Sequence, residues 1–185
     1  MRHLLKMCVV IAMTAMMALG LAACTDQNAG DKETDKTPAA RADKSTADND
    51  DIIKVKLYYS DDQGMKLVAV TKTIKTGKDK YQSVMEALLE GTPDDSLINL
   101  IPEKTKVRSV KVADGVAVVD FSGSLIKGLG GGSTAEELMV GAIVNTLTEF
   151  SEIKKVRFKV EGENIETISG HMDLSEPVTR MKELL

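Results

Sequence analysis

The residues best placed for chemistry lie in the bend Gly128-Leu129-Gly130-Gly131-Gly132-Ser133-Thr134, which runs into a helical pattern. Free N–H groups at a helix start can hold an anion, so Gly131, Gly132, Ser133 and Thr134, together with Asp120 upstream, are the candidate ligand-binding residues. The stretch is not a P-loop, because Gly132 stands where a lysine must precede the Ser or Thr. It is not a dinucleotide fingerprint either, because Ser133 takes the place of the sixth-position glycine. The simpler reading is a flexible turn closed by a side-chain cap from Ser133 or Thr134. Ser133 with Glu136, and Thr134 with Glu137, both have capping-box spacing.

Asp120 lies just upstream, followed by Ser122 and Ser124. A carboxylate beside hydroxyls can act as a catalytic pair, although it more commonly caps a turn through backbone N–H groups. Apart from His3 near the N-terminus, the only histidine is His171. One histidine supports neither a His-pair metal site nor a triad, so no metal, no cofactor and no catalytic residue is expected. Lys154, Lys155, Arg157 and Lys159, with Lys54 and Lys56, can form a basic sheet face for anionic headgroups or wall polymers. A solvated strand face is the simpler account of them.

Those residues need elements to hold them. Ile53, Val55, Leu57 and Tyr59 alternate with Lys54, Lys56 and Tyr58, which is the period of a half-buried strand. A second strand is expected over Leu67–Ile74, completing a hairpin across the turn residues 60–64. Tyr81, Val84, Met85, Leu88 and Leu89 recur at helical spacing until Gly91 and Pro93 stop the pattern. Leu97–Ile101 reads as one further helical turn. Val107–Val112 and Val116–Phe121 are strands joined by Asp114-Gly115, the pair favoured where a tight hairpin needs positive φ. An amphipathic helix follows from Thr134 to Phe150, then strands at Val156–Val160 and Ile165–Ile168. The tail from Pro177 to Leu185 reads as a last helical turn. The order predicts an α+β fold: one mixed β-sheet of about five to six strands, with two main helices packed on one face.

Upstream of residue 52 the chain changes character. Arg2, His3 and Lys6 precede an uncharged run from Met7 to Ala23, which reads as a secretory leader over residues 1–23. The run ends in Leu21-Ala22-Ala23-Cys24 and resembles the lipobox of bacterial lipoproteins. That resemblance implies cleavage before Cys24 and lipid on its thiol, anchoring the chain at the outer face of the cell membrane. The other cysteine, Cys8, would leave with the leader, so thiolate catalysis and disulfides are not expected in the mature domain. Residues 24–51 hold no aromatic or β-branched aliphatic residue and read as a disordered tether. Its 27 residues after Cys24 would reach about 30 Å as a flexible coil.

The formal net charge is −4, with two bases in the leader and eight acids against four bases in residues 25–51. The remainder is therefore close to neutral, and no nucleic-acid partner is expected.

Several stretches then match a known module: Leu57-Tyr58-Tyr59-Ser60, Leu67–Thr71, Ala87–Pro93 and Ile101–Thr105. The strongest are Val112–Ser122, Gly131-Gly132-Ser133 and Gly170–Pro177. Together they resemble the GerMN-domain lipoproteins of spore germination and sporulation, over residues 52–180 with 181–185 as a tail. The resemblance implies a fold similar to the ring-building modules of secretion and sporulation machines. It implies a non-enzymatic role in assembling envelope protein partners. The alternative is a lipoprotein that binds a small anionic or wall-polymer ligand at the glycine bend.

Overall fold

The computed structural model describes residues 51–185. The expected leader, Cys24 and the expected tether up to residue 50 lie outside the described residues, and Asp51, counted with the tether, already belongs to the first strand.

The hairpin forms as the alternation predicts. β1 (Asp51–Asp61) and β2 (Leu67–Thr76) pair antiparallel, with Tyr58 opposite Ala69. Val55, Leu57 and Tyr59 turn into the core. α1 (Lys80–Leu89) starts where the Asp79 carboxylate accepts from the N–H groups of Tyr81 and Gln82, at 3.0 and 3.1 Å. A cap of this kind contributes about 1 kcal/mol. Gly91, at φ 83°, ends the helix, and the Asn99 amide donates to the carbonyls of Leu88 and Leu89 in the last turn.

Leu97–Ile101 does not form the expected helical turn. Leu97 and Ile98 make β3, a two-residue strand on the free side of Ser60 and Asp61. β4 (Val107–Ala113) and β5 (Val116–Phe121) form the expected second hairpin, with Asp114 at φ 50° and Gly115 at φ 77°. Two successive positive φ values are what a two-residue turn between twisted strands requires. A short helix, α2 (Ser124–Gly128), precedes the long α3 (Ser133–Leu147). β6 (Lys155–Val160) then returns parallel to β5, and α2 and α3 together are its crossover. β7 (Glu163–Asn164) and β8 (Val178–Thr179) both pair with β6, and a 3₁₀ turn closes the chain at Lys182–Leu184.

The α+β class is as expected, and the strands divide into two hydrogen-bonded sheets rather than one: β2-β1-β3, and a five-stranded mixed sheet around β5 and β6. The reason is visible at Tyr58. Its N–H donates to the Thr146 hydroxyl at 3.2 Å, so α3 occupies an edge of β1 where a further strand would have joined. The helices also do not lie on a single sheet: α1 touches β2 and β4, and α3 touches β1, β2 and β6. Consequently α3 is not amphipathic over most of its length. Leu138 to Leu147 are all buried, which is the pattern of a helix covered on every side. The basic residues are likewise separated, with Lys54 and Lys56 on β1 in one sheet and Lys155, Arg157 and Lys159 on β6 in the other.

The expected last helical turn forms as the 3₁₀ turn at Lys182–Leu184, and it is seated on the core by Met181 and Leu184, which are buried. Gly141 makes room for them. A Cβ there would sit 2.5 Å from Leu184 Cδ1 and 3.1 Å from Leu67 Cδ1. Between the elements the apolar contacts are directional. Phe121 and Phe158 stack at 6.3 Å, and Tyr81 meets Phe150 edge-on at 5.2 Å. Each such pair adds about 1 kcal/mol beyond simple burial.

Candidate functional site

The glycine bend is exposed from Gly131 to Thr134, and Gly132 is the N-cap of α3. No side chain caps the helix, so the capping boxes predicted for Ser133–Glu136 and Thr134–Glu137 do not form. The turn is closed by backbone instead: Ala135 and Glu136 N–H donate to the Gly132 carbonyl at 3.1 and 3.2 Å. Gly131 has φ 105°, which an L side chain rarely adopts.

Glu136 was the expected partner of Ser133, and it does something else. It is fully buried. Oε1 accepts from the Thr167 hydroxyl at 3.0 Å, Ile168 N–H at 2.9 Å and Ser169 N–H at 3.0 Å. Oε2 accepts from the Ser169 hydroxyl at 2.7 Å and His171 N–H at 2.9 Å. Thr167 in turn accepts from Gly170 N–H at 2.8 Å, which fixes its hydroxyl. Burial pushes the Glu136 carboxyl pKa up, but the donors of Ser169, Ile168 and His171 outweigh it and hold the value at about 2. Converging N–H groups of this kind form an anion-binding nest. The chain does build an anion cradle, then, but from residues 167–171, and its own Glu136 fills it. Ile165–Ile168 does not form the expected strand, and its Ile168 N–H is bound to Glu136 instead of to a ladder.

The signal for Glu136 was present in the spacing. It stands three, four, seven and eleven residues before Met139, Val140, Ile143 and Leu147, on a stripe that is otherwise apolar. An acid on such a stripe must find buried donors.

Asp120 does not meet Ser122 or Ser124. Its Oδ1 accepts from Gly162 N–H at 2.9 Å, and Oδ2 pairs with Arg108 at 3.2 Å. Arg108 also reaches Glu161 at 3.4 Å, where a register shift between Val107 and Ser109 interrupts the ladder. Ser122 and Ser124 are occupied elsewhere or apart: the Ser122 hydroxyl accepts from Lys106 N–H, and Ser124 opens α2. His171 is hydrogen-bonded to the bend's helix through its backbone N–H. Gly131, Gly132, Ser133 and Thr134 are therefore not brought together with Asp120 by any shared hydrogen bond among the described residues. No group of three or more His, Cys, Asp or Glu residues that could hold a metal ion occurs among them, and none of their helices is long and apolar enough to cross a membrane.

A second polar cluster lies at the other end of α3. The Glu149 carboxylate accepts from Tyr58 Oη at 2.7 Å and pairs with Arg180 at 2.6 Å, and Lys56 approaches at 3.4 Å. Arg180 also donates to the Asn145 carbonyl at 3.0 Å and the Thr148 hydroxyl at 3.1 Å. Burial works to raise the Glu149 pKa, and the Tyr58 hydroxyl and Arg180 bring it below the usual range. Burial, helped by Glu149, raises that of Tyr58.

A family model described as Germane, sporulation and spore germination, matches residues 56–166, more than half of the chain. The spore germination protein GerM of Bacillus subtilis strain 168 is 25% identical over 154 residues, which are 80% of this chain and 40% of that protein. The chain thus spans less than half the length of this curated relative. Among solved structures, the tandem GerMN domains of the sporulation protein GerM from Bacillus subtilis superpose with a TM-score of 0.58 at 24% identity, over 70% of this chain and 46% of that one. The first GerMN domain of the same protein gives 0.54 at 25% identity, over 69% of this chain and 98% of that one. A Clostridium perfringens protein described provisionally as a lipoprotein gives 0.52 at 23% identity, over 72% and 89%.

Proposed function

The chain belongs to the Germane family of sporulation and spore germination proteins, and we propose that its GerMN domain is a non-enzymatic assembly module. In this reading lipid on Cys24 holds it at the outer face of the cell membrane, and the acidic tether lets it reach protein partners of an envelope complex. The observation that carries the reading is the commitment of two carboxylates, Glu136 and Asp120, to holding the fold. Glu136 accepts five hydrogen bonds from one loop, and Asp120 is held between Arg108 and a turn N–H. Groups held in this way fix the fold and offer no free acid, base or nucleophile. The lipobox-like Leu21–Cys24 supports the anchor.

Cross-linking of the full chain in native membranes tests this directly. A discrete cross-linked complex with other envelope proteins is expected, together with release of the chain from membranes by Cys24→Ala. A protein that remains monomeric there, or that turns over peptidoglycan and stops doing so on Asp120→Ala, overturns it.

A further inference from the structure

The assembly reading does not say which surface does the assembling. β2 is the terminal strand of its sheet, paired only with β1. The direction of its free groups follows from the ladder. Tyr58 N–H points away from β2, toward Thr146, and Tyr58 is paired with Ala69. Antiparallel alternation then turns the N–H and C=O groups of Ala69, Thr71, Thr73 and Lys75 outward. No strand among the described residues covers that edge. The two ends of the strand differ on the face that carries Leu57 and Tyr59. A groove of about 450 Å³ runs between the Lys72–Lys75 end and the helix side chains Ser83, Glu86 and Glu90. The groove's helix wall stops at Glu90, the C-cap of α1, which pairs with Lys72 at 2.9 Å. At the other end Val68 and Val70 are only half-buried, opposite the buried Tyr59 and Leu57.

We propose that this edge pairs with the same edge of a second copy of the chain, antiparallel about a two-fold axis at Thr71, so that one sheet runs through the dimer. The inference rests on the assembly reading and adds the chain itself to its components. The strand's own pattern sets the register. Outward groups must meet outward groups, so odd-numbered residues face odd-numbered residues. Two centres then overlap nearly all of β2, Thr71 and Lys72. A centre at Lys72 sets that lysine on its own copy, and like charges directly opposite are destabilising. A centre at Thr71 sets Lys72 on Val70 instead, with its ammonium still free to hold Glu90. In this register the core-facing row Tyr59–Val68 continues into Ile74 and Ile53 of the second copy, apolar throughout. The half-buried end of each strand thus comes beside the grooved end of the other. Lys66, which makes no ion pair among the described residues, arrives opposite Thr76, at the end of the groove where Gly77 N–H donates to Ser83 and Glu86 lies next on the helix. On the other face Thr71 meets its own copy, Ala69 meets Thr73 and Lys75 meets Leu67, so no lysine stands directly opposite another. An open edge by itself admits many strands. The self-match of both faces in one register is what selects a second copy. With both copies anchored in one membrane, as the assembly reading has it, effective concentration favours the pairing.

Disulfide trapping of the full chain in native membranes tests the register. Thr71→Cys puts two thiols directly opposite across the axis, with Cα atoms about 5.5 Å apart and within disulfide reach. Thr73→Cys leaves its two copies about 14 Å apart along the strands. Mild oxidation is expected to give a disulfide-linked dimer of Thr71→Cys, beyond any formed by the natural chain, whose cysteines are Cys8 and Cys24. Thr73→Cys alone and Ala69→Cys alone are expected to give none, and the two co-expressed are expected to give a mixed dimer. Thr73→Pro in the Thr71→Cys background removes an outward donor and leaves the β1 ladder intact. It is expected to lower trapping at least about tenfold, while Thr73→Val retains it. No dimer with Thr71→Cys, equal trapping with Thr71→Cys and Thr73→Cys, or trapping that survives Thr73→Pro overturns the inference. If other envelope proteins still cross-link while Thr71→Cys stays monomeric, the edge fails and the assembly reading stands. If neither complex nor dimer forms, the assembly reading fails with it.

Discussion

The two ends of α3 hold the last fifth of the chain by opposite chemistry. At the N-terminal end an anion, Glu136, gathers backbone N–H groups from residues 168–171. At the C-terminal end a cation, Arg180, reaches a helix carbonyl at Asn145 and a carboxylate at Glu149. Both signs agree with the helix dipole, which favours negative charge at the start and positive charge at the end. The difference is in solvent. Glu136 is sealed, whereas the Arg180 and Glu149 side chains keep 23% and 22% of their surface exposed. Between the two, Asn145 exchanges both of its amide hydrogen bonds with Met181, at 2.8 and 2.9 Å. The helix is thus a spine to which the return segment is fastened at three heights. The sealed fastening should carry the most stability and respond to pH, and the open one should carry less.

Replacing Glu136 is the largest expected effect. Glu136→Ala leaves five donors without their acceptor, one of them buried and four part-buried, and is expected to cost about 3 kcal/mol by urea unfolding. Glu136→Gln keeps the shape and isolates the charge. The folded pKa, about 2, lies below the ordinary 4.5. The stabilisation from ionised Glu136 is therefore fully present above about 4.5 and is lost as pH falls toward about 2. Unfolding free energies measured across that window should fall with acid in the natural protein and fall less steeply in Glu136→Gln. Parallel pH profiles would show that the nest does not hold a charged carboxylate.

Arg180→Met is next. It removes contacts to Asn145, Thr148, Tyr58 and Glu149 but leaves Glu149 with Tyr58 and Lys56. Because the pair is partly solvated, a cost of about 1–2 kcal/mol is expected. The Glu149 carboxyl should titrate at higher pH in the variant, which carboxyl NMR reads directly. A cost equal to that of Glu136→Ala would erase the contrast between the two ends.

What the sequence made legible is local. The period of two in Ile53–Tyr59, the Asp114-Gly115 turn and the stripe of α1 each depend on neighbours a few residues away, and each stands as expected. What it concealed is set by distant partners. Glu136 has perfect capping-box spacing, yet five donors some thirty residues downstream compete for it and win. Ile165–Ile168 has strand composition but forms no strand, and its Ile168 N–H serves that carboxylate. Ser133 and Thr134 have the chemistry of caps but cap nothing, Asp120 caps a turn as expected but the distant one at Gly162, and one sheet was expected where Thr146 divides two.

Gly141 sharpens the middle of the comparison. Alanine there gains about 1 kcal/mol of helix propensity, but its Cβ must displace Leu184 and Leu67. Overpacking of this kind costs about 1–3 kcal/mol, so Gly141→Ala is expected to be destabilising by about 1 kcal/mol. Deleting residues 182–185 removes the closest obstacle. In that background the same substitution should become less harmful, a coupling that a double-mutant cycle measures. Independent effects would mean that the closing turn does not seat on the helix.

The smallest effects are expected at the bend itself. An N-cap serine or threonine typically contributes about 1 kcal/mol, because its oxygen takes up an orphan N–H. Neither Ser133 nor Thr134 does so, and both are exposed. Ser133→Ala and Thr134→Ala should each change stability by less than about 0.5 kcal/mol in urea unfolding. Ser133→Asp should stabilise by a few tenths, through the field of the helix start alone. A loss near 1 kcal/mol at either alanine would restore the side-chain cap. It would also weaken the contrast between an anion cradle that the chain fills with Glu136 and a helix start that it leaves open.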